Sequence, residues 1–323
     1  MVVFTGGRER PPGSGFPVVT TVRDALSDRI PLSVPELAIL GARAFLRLEG
    51  IEQLGFISRI WPGARHSRYE HSLGVLHLAR LAVDRLRGRA EGGWISETDA
   101  RTLLAAALLH DIGHYPFSHA IEELGRPVLP HEQVGRRIIT GPEIAPILEA
   151  GWGVDPERVA SIVDPHGHDL PQSDRILRGI LSGPLDVDKL DYLPRDARAC
   201  SVPYGGVDVA RLIDSLGIAE ITEPDAVWPT RRIVIGAKGV SPVHSLINAR
   251  QEMFDNVYWH HTNRACMAML LRAVQEALAA GALTAETLTT LDDASLMAML
   301  GGPAMPEVTQ TLTAALAERR VHK

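Results

Sequence analysis

The 323-residue chain is 45% hydrophobic with only 5% aromatic residues, an Ala- and Leu-rich balance that points to a mainly helical globular protein. Its formal net charge of −6 excludes a nucleic-acid coat built on bulk positive charge, and Cys200 and Cys266 are too few and too isolated for a disulfide framework or a thiolate zinc site. No apolar run approaches the roughly 20 residues of a membrane span. Residues 1–17 lack an apolar signal core and read as a loose arm, so a cytoplasmic location is expected.

In chain order, residues 21–28 predict an extended entry segment and residues 35–45 a short helix with Ala and Leu at helical spacing. The segment 45–55 ends on glycine and leads into the turn signal Trp61-Pro62-Gly63. Ser67-Arg68-Tyr69-Glu70 is a capping box. It starts a helix that runs through His71, Leu73, Leu76 and Leu81 towards Gly88, with Arg68 and His71 on one face of the first turn. Ser96 begins the next helix, whose apolar run 103–109 delivers His110 and Asp111 before Gly113 and Pro116 break it. Helical patterns recur over 120–124, 138–148 and 156–163, and the stretch 164–168 reads as a surface loop with solvated His166 and His168. Asp188, Tyr192 and Asp196 are spaced by four and again by four, which predicts one helix face, kinked by Pro194. After a helix over 207–216, residues 218–221 and 231–235 flank a turn at Glu223-Pro224-Asp225 and predict a small antiparallel hairpin, the one trusted strand signal. A long helix from Val243 carries Arg250, Phe254, Tyr258 and His261 along one side, and further helices fill 266–320 with a break at Gly301-Gly302-Pro303.

Four candidate ligands, His71, His110, Asp111 and Asp188, come from three predicted helices, the way helix bundles build metal sites from facing side chains. Two nitrogens and two oxygens leave coordination positions open, which suits catalysis more than scaffolding. Arg68, Lys189 and Arg250 lie beside these ligands or on a neighbouring helix, and a metal with several cations describes an oxyanion site, most simply for phosphate or polyphosphate. A satisfied core His-Asp pair and ordinary surface cations are the plainer readings; the adjacency of all these groups argues against both. His110 and His114, four apart with an acid between, also echo the helical zinc-protease pattern. That acid is Asp rather than Glu, and Gly113 and Pro116 end the helix between the histidines.

Three runs carry a resemblance: Arg68-Tyr69-Glu70-His71-Ser72-Leu73-Gly74-Val75, His110-Asp111-Ile112-Gly113-His114-Tyr115-Pro116-Phe117-Ser118-His119 and Asp186-Val187-Asp188-Lys189-Leu190-Asp191-Tyr192. Together they resemble the HD-domain metal-dependent phosphohydrolases, and more narrowly the deoxynucleoside triphosphate triphosphohydrolase branch, over roughly residues 53–261. The resemblance implies His71, His110, Asp111 and Asp188 as ligands of one divalent metal ion (Mg, Mn, Fe or Zn). It implies His131 as the catalytic histidine, Glu122 as the carboxylate that orients it, and His114 and His119 as phosphate-contacting histidines. Arg68, Lys189 and Arg250 match phosphate-binding cations, and Gln53, Leu54, Tyr192, Asp196 and Tyr258 match residues around the nucleoside. The Asp and Arg with which allosteric members read an activating guanine nucleotide are Gly41 and Glu49 here, and Phe254 and His261 replace a polar and a basic pocket residue.

The resulting expectation is an all-α HD-domain bundle with a small β-hairpin insertion (about 218–236), a loose arm over 1–20, the phosphohydrolase domain over 21–265 and a helical extension over 266–323. The expected reaction is hydrolysis of a dNTP to deoxynucleoside and triphosphate by a homo-oligomer that binds neither membrane nor, on its charge, nucleic acid. The alternatives are hydrolysis of another nucleotide or phosphomonoester, and a nucleotide- or nucleic-acid-binding regulator with residual activity.

Overall fold

The computed structural model describes residues 15–89, 93–165, 167, 169–222 and 229–321. It opens with a hairpin, β1 (Val18–Asp24) and β2 (Asp28–Ser33), in the register Thr21↔Pro31 and Asp24↔Asp28. This corrects two expectations: the stretch read as an extended entry is a paired strand, and the later hairpin is not the only one. The turn closes because the Asp24 carboxylate accepts from the amides of Leu26 and Ser27, both at 2.8 Å. Pro31 is tolerated because the sheet has only two strands, both of them edges.

The helix expected over 35–45 is two, α1 (Val34–Leu40) and α2 (Arg43–Leu46), broken at Gly41. Next comes α3 (Arg68–Arg87), started by the expected capping box and ended at Gly88, and α4 (Glu97–Leu109), capped by Ser96 and Asp99. A 3-10 segment, Ser118–Leu124, precedes α5 (His131–Ile139), α6 (Ala145–Ile147) and α7 (Pro156–Val163). The expected helix over 138–148 is therefore split after Ile139. His166, His168 and the turn at 223–225 lie outside the described residues. The chain continues through α8 (Gln172–Leu181), α9 (Val187–Cys200), which stays continuous across Pro194, and α10 (Val209–Ser215). The expected hairpin follows as β3 (Leu216–Ile221) and β4 (Thr230–Ile235), in the register Leu216↔Ile235 and Ile221↔Thr230. The remainder is α11 (Val240–Met253), α12 (His261–Ala279), α13 (Ala285–Leu288), α14 (Asp293–Leu300) and α15 (Glu307–Ala317). The fold is mainly helical with two small hairpins, and among the described residues no helix is long and apolar enough to cross a membrane.

Two apolar cores organise the chain. The larger runs through α3, α4, α7, α8 and α9, where Leu103 to Leu109 of α4 are buried on all sides, explaining why that helix reads as apolar throughout. The second joins Met269, Leu270, Val274, Leu296 and Leu316 of the C-terminal helices to Phe56, Tyr115, Phe117 and Ile121. Residues of the 110–119 stretch thus share a core with chain that lies about 150 residues further on. Polar contacts reinforce the join. Arg47 donates to the carbonyls of Ile112 (2.9 Å) and Leu291 (3.0 Å), and Asp293 accepts from the amides of Phe117 (2.6 Å) and Glu52 (3.0 Å). Phe117 and Ser118 both sit in the left-handed region, at φ 56° and 58°, a conformation costly for side-chain-bearing residues unless neighbours hold it.

Asp293→Ala leaves two partly buried backbone donors without a partner and is expected to cost roughly 1–3 kcal/mol for each. Urea unfolding measures this; an unchanged midpoint would show that the carboxylate does not hold the strained turn.

Candidate metal centre

The site lies where α3, α9 and the end of α4 meet. Two glycines permit this approach. A methyl group at Gly74 of α3 would collide with the Asp191 carboxylate of α9, and one at Gly113 would collide with the backbone of His131 and Gly135 in α5. Gly113 therefore does more than end a helix: it lets α5 bring His131 to the centre.

Each candidate imidazole is held through its far nitrogen. His71 Nδ1 donates to Asp191 Oδ2 (2.8 Å) and His110 Nδ1 donates to the carbonyl of Ala107 (2.9 Å). Both partners are acceptors only, so each holds a proton on Nδ1 and turns Nε2 inward, where a metal ion would take the place of any proton that Nε2 carries. There His71 Nε2 lies 3.0 Å from Asp188 Oδ1 and 3.8 Å from Asp111 Oδ2, while His110 Nε2 lies 3.7 Å from Asp188 Oδ1 and 3.3 Å from Asp111 Oδ1. Donors bound at about 2.0–2.2 Å stand roughly 3.0–3.5 Å apart around one ion, so these spacings fit a shared cation. His110 Nε2 is buried without a hydrogen-bond partner, as a ligand atom awaiting an ion would be. His71, His110 and Asp188 could hold a metal, with Asp111 beside them.

The electrostatics favour positive charge at this point. Burial opposes a charge on His71, but the hydrogen bonds to Asp188 and Asp191 override it and push its pKa up to about 10. His110 is raised in the same way by Asp111 and Asp188 against the effect of burial. Burial works to raise Asp111 and Asp188, yet the Arg68 guanidinium and the histidines hold Asp111 well below the usual carboxylate range, and His110 and His71 do the same for Asp188.

A second group of side chains adjoins the first. His131 Nδ1 lies 3.0 Å from Glu122 Oε1, and His114 and His131 stack with ring centres 3.8 Å apart. His114 Nε2 lies 3.2 Å from Asp111 Oδ1 and so links the two groups. Burial would raise Glu122, but the neighbouring His119 and its hydrogen bond to His131 pull it down to about 2, leaving a fixed anion. A cavity of ≈ 260 Å³ opens onto both groups.

The structure brings most of the expected residues to this cavity: Gln53, Arg68, His71, His110, Asp111, His114, His119, His131, Asp188 and Tyr192 line it, with Glu122 directly behind His131. Arg68 is buried there, paired with Asp111 and donating to Ser118 Oγ at 2.9 Å. Others are placed elsewhere. Lys189 donates to Asp186 (2.5 Å) and, with Arg250, lines a neighbouring cavity of ≈ 510 Å³ that also includes Phe254. Leu54 packs against the larger core. Asp196 is not on the Asp188–Tyr192 face. Its carboxylate is buried between Tyr258 Oη (2.7 Å) and His66 Nε2 (2.7 Å), away from both cavities. The reason is the helical repeat: steps of four gain about 40° each over a 3.6-residue turn, so Asp196 is rotated by about 80° from Asp188.

Two residues of the site were not anticipated. Asp191 orients His71 and is itself gripped by Arg195 through Nε (2.8 Å) and Nη2 (2.9 Å). Its position three after Asp188 and four before Arg195 was the available signal. Arg178 lines the cavity from α8, anchored on the carbonyls of Ile162 (2.5 Å) and Val163 (2.7 Å); nothing local in the sequence marks it.

The family described as HD domain matches residues 68–202, and the one described as HD associated region matches residues 207–323. The chain is 31% identical to the uncharacterized protein MJ1154 of Methanocaldococcus jannaschii over 86% of this chain and 54% of that protein. It is 34% identical to the uncharacterized protein YwfO of Bacillus subtilis over 74% of this chain and 51% of that protein. It is 29% identical to the human deoxynucleoside triphosphate triphosphohydrolase SAMHD1, over 79% of this chain and 44% of that protein. The chain thus spans about half the length of the curated relatives it matches.

Outer partners of metal-bound histidines typically govern affinity by 10–100-fold. Asp191→Asn is therefore expected to weaken manganese binding by about that factor, read by titration calorimetry, while the helical signal is retained. Unaltered affinity would remove Asp191 from the orienting role.

Proposed function

From a chain that belongs to the HD-domain superfamily and is similar to its deoxynucleoside triphosphate triphosphohydrolase branch, we propose a metal-dependent phosphohydrolase that converts a dNTP and water to deoxynucleoside and triphosphate. The observation that carries this reading is the pair of imidazoles pinned at Nδ1 so that their Nε2 atoms converge with Asp188, in a cavity walled by arginines and further histidines. His71, His110, Asp111 and Asp188 would hold one divalent ion. Such an ion polarises a phosphoryl oxygen and lowers the pKa of a bound water.

The chain's own residues account for the rest. Arg68 and Arg178 set positive charge into the cavity wall, and His114 and His119 add nitrogens from the 110–119 stretch, a set suited to a polyphosphate. With Nδ1 facing the Glu122 anion, His131 turns Nε2 towards the cavity, where it would give its proton to the departing 5′-oxygen of the nucleoside. Glu122 steadies the charged imidazole before that transfer. Gln53 Oε1 is buried without a partner, an acceptor free to take a hydrogen bond from substrate. Tyr192 stands at this cavity, and the neighbouring cavity that Arg250 lines with Lys189 would extend the site for a long ligand.

One observation favours a second reading, hydrolysis of a different nucleotide or a phosphomonoester. Both oxygens of Asp196 are already engaged by Tyr258 and His66, so neither residue is free to read a sugar without rearrangement.

His131→Ala should keep its manganese and lose roughly 10²–10⁴ in turnover, the scale of general acid–base groups; loss of the metal, or an unchanged rate, would reject that role. The substrate class is tested by incubating metal-loaded protein with a nucleotide panel and separating phosphate, pyrophosphate and triphosphate. Triphosphate released from dNTPs is the expected outcome, whereas faster hydrolysis of monophosphates would replace this reading with the second.

A further inference from the structure

Beyond the centre at His71, three more imidazoles point their Nδ1 atoms at a single carboxylate oxygen. His131, His114 and His119 place Nδ1 at 3.0, 3.7 and 3.7 Å from Glu122 Oε1, and the four donor atoms all lie within 4.8 Å of one another. We propose that His114, His119, Glu122 and His131 form a second metal site that takes a zinc-class divalent ion and, when filled, withdraws His131 from proton transfer.

An unpartnered buried atom makes the case beyond mere clustering. His114 Nε2 faces the Asp111 Oδ1 acceptor at 3.2 Å, which draws the ring proton of a neutral imidazole to that nitrogen. Nδ1 is then a bare lone pair, buried, without a hydrogen-bond partner, and facing the Glu122 carboxylate. A lone pair and an anion oppose each other unless a cation or a donor lies between them. His119 and Glu122 sit three apart on the same 3-10 turn and offer a local chelate, and the exposed edge of His119 leaves the site a route to solvent. Three imidazoles and one carboxylate suit zinc, cobalt or nickel rather than magnesium, which prefers an all-oxygen set.

Filling this site and donating a proton from His131 exclude each other. The His114 and His131 rings are stacked with 17° between their planes, so both nitrogens can meet one ion in-plane only after His131 turns about its Cβ–Cγ bond. That turn breaks its bond to Glu122, and an ion on Nδ1 prevents the ring from carrying the second proton of an imidazolium. The centre at His71 would remain loaded while the acid is switched off. The binding inference stands on geometry alone; its consequence for turnover rests on the role assigned to His131 above.

The test uses the full chain, stripped with a chelator and dialysed against cobalt(II), with bound metal counted by elemental analysis. The parent is expected to take up two equivalents, His119→Ala one, and His110→Ala with Asp111→Ala one. Because His119 is two-thirds exposed, at 66%, its replacement spares the fold. Uptake of a single equivalent by the parent, or a second equivalent that survives His119→Ala, overturns the proposal. Should the nucleotide panel yield no triphosphate, the cobalt stoichiometry still decides whether this site exists.

Discussion

The Asp191 carboxylate is the contact on which the site depends. It accepts from His71 on α3 and from Arg195 one turn along α9, and Arg195 in turn reaches Asp24 at the end of β1 (2.7 Å). One buried chain of alternating charge therefore ties the N-terminal hairpin, α9 and α3 together. Burying these charges is expensive and is tolerated because each has a close partner of opposite sign. Gly74 is the steric counterpart, since any side chain there would hold α9 away from α3. The inward direction of His71 Nε2 follows from this packing.

The 110–119 stretch faces both cores at once. Its first half, from the end of α4, belongs to the larger core, and Tyr115 and Phe117 belong to the smaller one with the C-terminal helices. Between them the chain bends through two left-handed residues, held by Asp293 and by the donation from Arg68 to Ser118. The same bend sets the directions of His114 and His119. The C-terminal helices therefore help to shape the cavity without contributing a side chain to its lining.

Charge is distributed unevenly among the expected phosphate groups. Arg68 spends much of its charge on Asp111, while Lys189 is paired with Asp186 outside the main cavity. Arg178, anchored by two carbonyls that carry no formal charge, retains its charge for a ligand. Histidines dominate the remaining wall, which makes the cavity responsive to metal ions as well as to anions.

The helices that start at Ser67, with its capping box, and at Ser96, the hairpin at β3 and β4, and the order of His71, His110, Asp111 and Asp188 were determined by the sequence itself, because each rests on spacing within a few residues. The first hairpin escaped that reading: Pro31 weakens the strand signal, and its pairing is an interaction between segments. Arg178 and Asp293 act on partners 16 and 176 residues away, so only the tertiary structure could reveal them, and Asp191, for all its local spacing from Asp188 and Arg195, meets its partner His71 120 residues away. Asp196 gives the sharpest contrast. Its place four residues after Tyr192 is local information, but the side it faces depends on the accumulated rotation of α9 and on where Tyr258 and His66 come to rest. Residue type and spacing determine which chemistry is available, and packing decides which groups share a cavity, because contacts between distant segments form only when their helices meet.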